Sequence, residues 1–183
     1  KGVPSKILTL TRTGLNDVER LLDEDELLPY ELDPHKIKQD FLRHGLYAQK
    51  VTANVMGSEK FIGFQTEKEI QRIAESGVKQ HDVIWHIDNA RIGVEIELTA
   101  KWNRPFDQFI IGCAQSISSG TVNQLFLISD APAIIKRYKQ ALTGGNQIPR
   151  WVQNKKRFWE TNGLFTLPEG IERKVLCQEF KDY

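Results

Sequence analysis

Two cysteines in 183 residues are too few for a disulfide framework, and Cys113 and Cys177 lack the spacing of a shared metal site. Cys113 falls on an apolar helical face, which predicts a buried free thiol. Neither cysteine has an evident base beside it, so a thiol nucleophile is not expected. Long apolar runs are also missing. None approaches the ~20 residues that span a bilayer, so no membrane partner is expected. Lys1-Gly2-Val3-Pro4 does not read as a secretory signal, and with so few cysteines the expected location is a reducing cytoplasm. Charge of one sign is lacking as well. Lys and Arg number 25 against 24 Asp and Glu, a net charge of +1, so a nucleic-acid surface must come from local clustering.

What is present is an ordinary composition, 40% hydrophobic and 27% charged, over a length suited to one domain with a single core. A helix is expected over Gly14 to Leu28, with Leu15, Val18, Leu21 and Leu22 on one face and the run Asp23-Glu24-Asp25-Glu26 solvated. A second helix is expected from Asp33-Pro34 to Gly45. A strand over Leu46 to Val55 follows, then a turn at Gly57-Ser58 and a strand at Phe61 to Phe64. Thr66 and Glu69 form a capping box that opens a helix running to Gly77.

Asp82 to Ile87 and Ile92 to Leu98 are rich in β-formers and flank the turn-like Asp88-Asn89-Ala90-Arg91, which predicts a hairpin. Asn103 is expected to cap a helix that Gly120 closes. Phe106, Phe109, Ile110, Cys113, Ala114 and Ile117 form its apolar face. Leu125 to Ile128 suits a buried strand parallel to its predecessor. A further helix runs from Asp130-Ala131-Pro132 to Gly144-Gly145, and the tail is less regular. The order predicts an α/β sandwich around a mixed sheet, a single domain over 1–183. Its core covers about 34–142, and a basic, aromatic C-terminal segment covers about 146–183.

The second hairpin strand alternates cleanly. Ile92, Val94, Ile96 and Leu98 face one way, and Arg91, Gly93, Glu95, Glu97 and Thr99 the other. The apolar face is expected to pack on helices, and the other face carries two carboxylates roughly 7 Å apart along the strand. Asp82 begins the partner strand, where antiparallel pairing brings it alongside. Like charges at about 4 Å repel by roughly 4 kcal/mol at an intermediate dielectric. Such a cluster must therefore face water, hold a proton or hold a cation. Oxygen ligands of this kind suit Mg²⁺ or Mn²⁺, which would bind a phosphate oxygen, activate a water and stabilise a leaving oxygen. The competing reading is a half-exposed antiparallel strand with no metal at all.

An Asp at a strand start, a turn, an acid-x-acid strand, an apolar helix and a hydrophobic strand together resemble the core of the PD-(D/E)XK nuclease superfamily. The resemblance spans residues 79–130. His81-Asp82-Val83 matches its first element and Glu95-Ile96-Glu97 its acidic-x-Lys triplet, with His81 in place of Pro and Glu97 in place of Lys. Type II restriction endonucleases of the BamHI and BglII kind vary at this same place. Arg91 to Leu98, followed by Lys101 and Asp107, is similar to the BglII strand and helix start.

The resemblance implies a restriction-endonuclease-like mixed sheet flanked by helices. It implies a Mg²⁺-dependent (or Mn²⁺-dependent) endonuclease on double-stranded DNA, in its specific form a sequence-specific type II restriction endonuclease working as a homodimer with one centre per chain. It implies Asp82, Glu95 and the Ile96 carbonyl as metal ligands. Glu97 would orient or deprotonate the attacking water or bind a second ion. Lys101 would replace the missing lysine charge or touch a phosphate, a solvated loop lysine being the alternative. A repair, recombination or phage nuclease with structure-based specificity, and a catalytically silent DNA-binding module, are the other functions these residues allow.

The stretch Arg150-Trp151-Val152-Gln153-Asn154-Lys155-Lys156-Arg157-Phe158-Trp159 interleaves cations with aromatics. Arg150, Lys155, Lys156 and Arg157, with Lys101 and Arg104 upstream, can neutralise phosphates while the aromatics stack on bases. The competing reading is a helix with Val152, Lys155 and Trp159 on a buried edge and its cations solvated. His81 and His86 flank the first hairpin strand; neither is assigned a catalytic role, a hydrogen-bonded structural histidine being the commoner outcome.

Overall fold

The computed structural model describes residues 11–21, 39–73 and 79–180. They belong to two compact units, residues 1–50 and 51–183. Helix α1 (Arg12–Glu19) opens at Thr11, whose hydroxyl accepts from the Gly14 N–H at 3.1 Å. It stops well before Leu28: its last turn tightens as the Leu21 N–H donates to the Val18 carbonyl. The rest of that expected helix and the Asp33-Pro34 start of the next lie outside the described residues.

Helix α2 (Gln39–Met56) corrects two expectations, since Gly45 does not end it and Leu46 to Val55 is not a strand. A glycine inside a helix costs only about 1 kcal/mol relative to alanine. Tyr47, Ala48, Val51 and Thr52 are buried at helical spacing, and that outweighs the β-forming Val51-Thr52 pair.

Strand β1 (Phe61–Thr66) leads into α3 (Glu67–Ile73) through the capping box, where the Thr66 N–H and hydroxyl each donate to Glu69 at 2.6 Å. The expected end at Gly77 lies outside the described residues. Strands β2 (Val83–Ile87) and β3 (Ala90–Ile96) form the predicted hairpin. Its turn is tighter than expected, only Asp88-Asn89, with Asp88 at φ 48° in the left-handed region that Asp tolerates. Helix α4 (Asn103–Ser118) then crosses to β4 (Gln124–Ser129), which pairs parallel with β3. Asn103 does not cap α4: it sits at φ 49°, and Trp102 precedes the helix without a side-chain cap. Helix α5 (Pro132–Ala141) has proline in its first turn with Ala131 at the cap position, and it ends short of the expected Gly144-Gly145.

The tail is regular, against expectation. Strands β5 (Gln147–Gln153) and β6 (Trp159–Thr166) form a separate antiparallel ribbon. A short 3₁₀ helix (Ile171–Lys174) and strand β7 (Val175–Glu179) follow. The helical reading of 150–159 fails because Asn154 builds a turn there. Its Oδ1 accepts from the Lys156 and Phe158 N–H groups at 2.9 and 3.0 Å. Val152 and Trp159 thus lie on facing strands, with Lys155 in the turn between them.

The main sheet runs in the order β1-β2-β3-β4-β7, antiparallel over its first three strands and parallel over its last three. One face carries Trp85, Val94 and Phe126; the Trp85 indole N–H donates to the Thr52 hydroxyl at 2.9 Å. The other carries Ile84, Gly93, Glu95, Leu125 and Leu127 in register and packs against Phe109, Ile110, Cys113 and Tyr138. The carboxylate face is thus a covered face, not the open one that a half-exposed strand would present. No helix among the described residues is long and apolar enough to cross a membrane.

Candidate active site

Asp82 lies one position before β2, and because Val83 pairs with Val94, it stands opposite Glu95 on the hairpin. The strand ladder frays there. The Asp82 N–H still reaches the Val94 carbonyl at 3.1 Å, and Asp82 Oδ2 accepts from the Ile96 N–H at 2.7 Å. Glu97 lies one residue past β3 and is held by its own N–H on the Ile128 carbonyl at 2.8 Å. The hairpin therefore brings the three predicted acids to one end of two strands.

Glu95 and Glu97 are buried, 2% and 3% exposed, and each carboxylate has a lysine. Lys79 Nζ donates to Glu95 Oε1 at 2.5 Å, and Lys101 Nζ donates to Glu97 Oε1. The two ammonium groups flank one ring, Phe109, at 5.1 and 4.8 Å from its centre. Glu95 Oε1 also meets His81 Nδ1 at 2.6 Å, and His81 Nε2 meets the Ser116 hydroxyl at 2.7 Å. Glu97 Oε2 accepts from the Tyr138 hydroxyl at 3.1 Å. His81 is fully buried, and Gly93 makes room for it: a β-carbon there would lie 2.8 Å from the imidazole. The bland expectation for His81 holds in form, but its partner is the central carboxylate.

The charges act on one another. Burial works against the Lys79 charge, yet the Glu95 carboxylate more than offsets it, with Asp82 adding to the effect, and the ammonium is held above the ordinary lysine range. Burial raises the Glu97 carboxyl above the ordinary range, opposed by Lys101 and reinforced by the Glu95 charge. Burial and Glu97 together push the Tyr138 hydroxyl up. Burial, then Glu95, pushes the Cys113 thiol well up, leaving it the inert free cysteine that its position predicts. Lys79, Ser116 and Tyr138 carried no signal in the sequence, lying 16, 21 and 41 positions from the acids they serve (Ser116 through His81). Lys101 was visible, four positions from Glu97.

Among the described residues no three His, Cys, Asp or Glu side chains form a group that could hold a metal ion. The donors fit a hard cation only as a pair. Asp82 and Glu95 oppose each other, and both Glu95 contacts fall on Oε1, which leaves Oε2 without a hydrogen bond among the described residues. Glu97 is engaged at both oxygens, by Lys101 and Tyr138. A divalent ion held by Asp82, Glu95 Oε2 and the Ile96 carbonyl would share Glu95 with Lys79.

The residues expected to meet DNA lie on α4 and the β5–β6 ribbon. The guanidinium of Arg104 stacks on Trp159 at 4.2 Å and that of Arg150 near Phe165 at 5.2 Å. Trp151 ties the ribbon to α4, its indole N–H donating to Asp107 Oδ2 at 2.8 Å. Lys155, Lys156 and Arg157 form the ribbon's turn and are exposed. Arg104, Arg150 and these three make no ion pair among the described residues. No protein-family model, curated protein or solved structure matches the chain.

Proposed function

We propose that this chain is a metal-dependent nuclease that hydrolyses phosphodiester bonds of double-stranded DNA, of the restriction-endonuclease-like fold and working as a homodimer. The observation that carries the reading is the opposition of Asp82 and Glu95 across a hairpin whose second strand continues into Glu97. The β3–α4–β4 crossover behind it and the cations of α4 and the ribbon, which make no ion pair among the described residues, support the reading.

Asp82, Glu95 and the Ile96 carbonyl would hold Mg²⁺ or Mn²⁺. The ion when bound supplies charge for the phosphate and acidifies water. His81 fixes the Glu95 carboxylate, and Ser116 fixes His81. Glu97, raised above the ordinary carboxylate range, suits proton transfer nearer neutrality than an exposed glutamate. Lys101, whose side chain is 39% exposed, is the ammonium that can meet a phosphate, whereas Lys79 is enclosed. A specific observation favours a second reading. Lysines already neutralise Glu95 and Glu97, so the same residues suit a DNA-binding module without turnover.

The test is cleavage of plasmid DNA in Mg²⁺ and in Mn²⁺. Discrete fragments are expected, and Asp82→Asn and Glu95→Gln, checked for an unchanged fold by circular dichroism, should each slow cutting by roughly 10²-fold or more. Undiminished cutting by both folded variants would sink the assignment, and DNA binding without cutting by the wild type would establish the silent module.

A further inference from the structure

We propose that three arginines stacked on aromatic rings, Arg137, Arg104 and Arg150, form a phosphate-binding row around the first turn of α4, where Arg137 grips the nucleic-acid backbone beside Glu97 and Lys101. That the phosphate belongs to a nucleic-acid strand rests on the nuclease reading; the anion chemistry of the row does not.

Arg137 lies on α5 next to Tyr138, the residue that donates to Glu97. Its guanidinium sits 3.9 Å from the centre of the Trp102 ring and 4.0 Å from that of Phe106. Phe106 is in turn held edge-on by Tyr138 at 5.0 Å. Such packing covers the flat faces of a guanidinium and leaves its in-plane N–H edge for an anion, the geometry in which arginine binds phosphate through two parallel hydrogen bonds. Arg137 makes no hydrogen bond and no ion pair among the described residues, and its Nη1 is shut off from solvent without an acceptor. A charged donor left so is costly unless an acceptor completes it.

Trp102 points to the same end. This large apolar side chain next to Lys101 is 65% exposed, and its ring lies over Arg137. The construction repeats nearby, with Arg104 on Trp159 and Arg150 on Phe165, both lacking a carboxylate partner among the described residues. Trp102 and Phe106, four positions apart, both meet Arg137 on one side of the start of α4, while Arg104 between them projects to the other side, onto Trp159. The Trp151–Asp107 bond ties the ribbon that carries Arg150 and Trp159 to this same turn. An isolated arginine on a ring is commonplace. Three without acids among the described residues, around the turn that follows the carboxylates, point to a polyanion.

The experiment is fluorescence anisotropy of a labelled DNA duplex in Ca²⁺ over a range of salt concentrations. R137Q and R104Q are each expected to bind roughly tenfold more weakly, with the slope of log affinity against log salt reduced by about 1. R137K, which keeps the charge but loses the planar fork, should recover only part of the affinity. Wild-type affinity and slope in folded R137Q and R104Q would overturn the proposal, as would a wild type that binds no DNA at low salt. If R137Q does not fold, the R104Q and R150Q variants decide by the same two readings. A wild type that cuts DNA while these variants bind normally refutes the row and leaves the nuclease. One that never cuts, but whose binding depends on the row, does the reverse.

Discussion

Lys79 is the residue on which the buried carboxylates most depend. Enclosed with Glu95, it forms an ion pair whose cost in desolvation is offset only while both members are present. Lys79→Met should therefore destabilise the fold by about 3–5 kcal/mol at neutral pH, measured by urea denaturation. The pH dependence has a defined sign. A lysine raised in the folded state contributes stability in full below its ordinary value of 10.5 and loses it as pH climbs through the raised value. Glu97, also raised, acts in the same sense at lower pH: its contribution is present below the ordinary carboxylate range and fades as pH climbs through the raised one. Wild-type stability should thus fall above pH 10.5, and in Lys79→Met that alkaline fall should be smaller. An identical alkaline profile in the two proteins would refute the assignment of the loss to Lys79.

At the scale of elements, the ribbon turn sets conformation against charge. The Arg157 N–H donates to the Asn154 carbonyl at 2.8 Å, and Arg157 itself adopts φ 63°, a region that suits glycine. Arg157→Gly should raise stability by roughly 1 kcal/mol and at the same time weaken DNA binding, a pair of opposite signs readable by calorimetry and anisotropy. The elements legible in the sequence are those with a strong local signature: the capping box, the alternating β3, the apolar stripe of α4, the proline-led α5. Helix α2 was hidden by Gly45 and by β-branched Val51 and Thr52, whose burial decides the matter. The ribbon was hidden because its cations and aromatics suit a helix edge or a strand equally well until the side chain of Asn154 folds the turn. Of the candidate site, the acids were legible from alternation, while their lysine, histidine, serine and tyrosine partners come from other elements and were not, Lys101 excepted.

At the scale of the molecule, a net charge of +1 conceals a division of labour, with buried acids neutralised one by one and the arginines around α4 left without acids among the described residues. If Asp82 and Glu95 hold a divalent ion in the folded protein alone, Mg²⁺ at about a hundredfold excess over its dissociation constant should stabilise the fold by about 2.7 kcal/mol. Asp82→Asn should abolish that gain in a thermal melt; a gain unchanged in the variant would move the ion elsewhere. The parallel half of the sheet has a consequence for how the chain acquires its structure. The β1–β2–β3 meander closes between near neighbours, but Leu125 meets its partner on the other side of β4 only at Val175, after α5 and the whole ribbon. A chain emerging from the ribosome therefore carries β4 with one edge bare until nearly all of the described sequence has been made. In that interval the open edge of β4 is where a second nascent copy, or a chaperone, would first take hold.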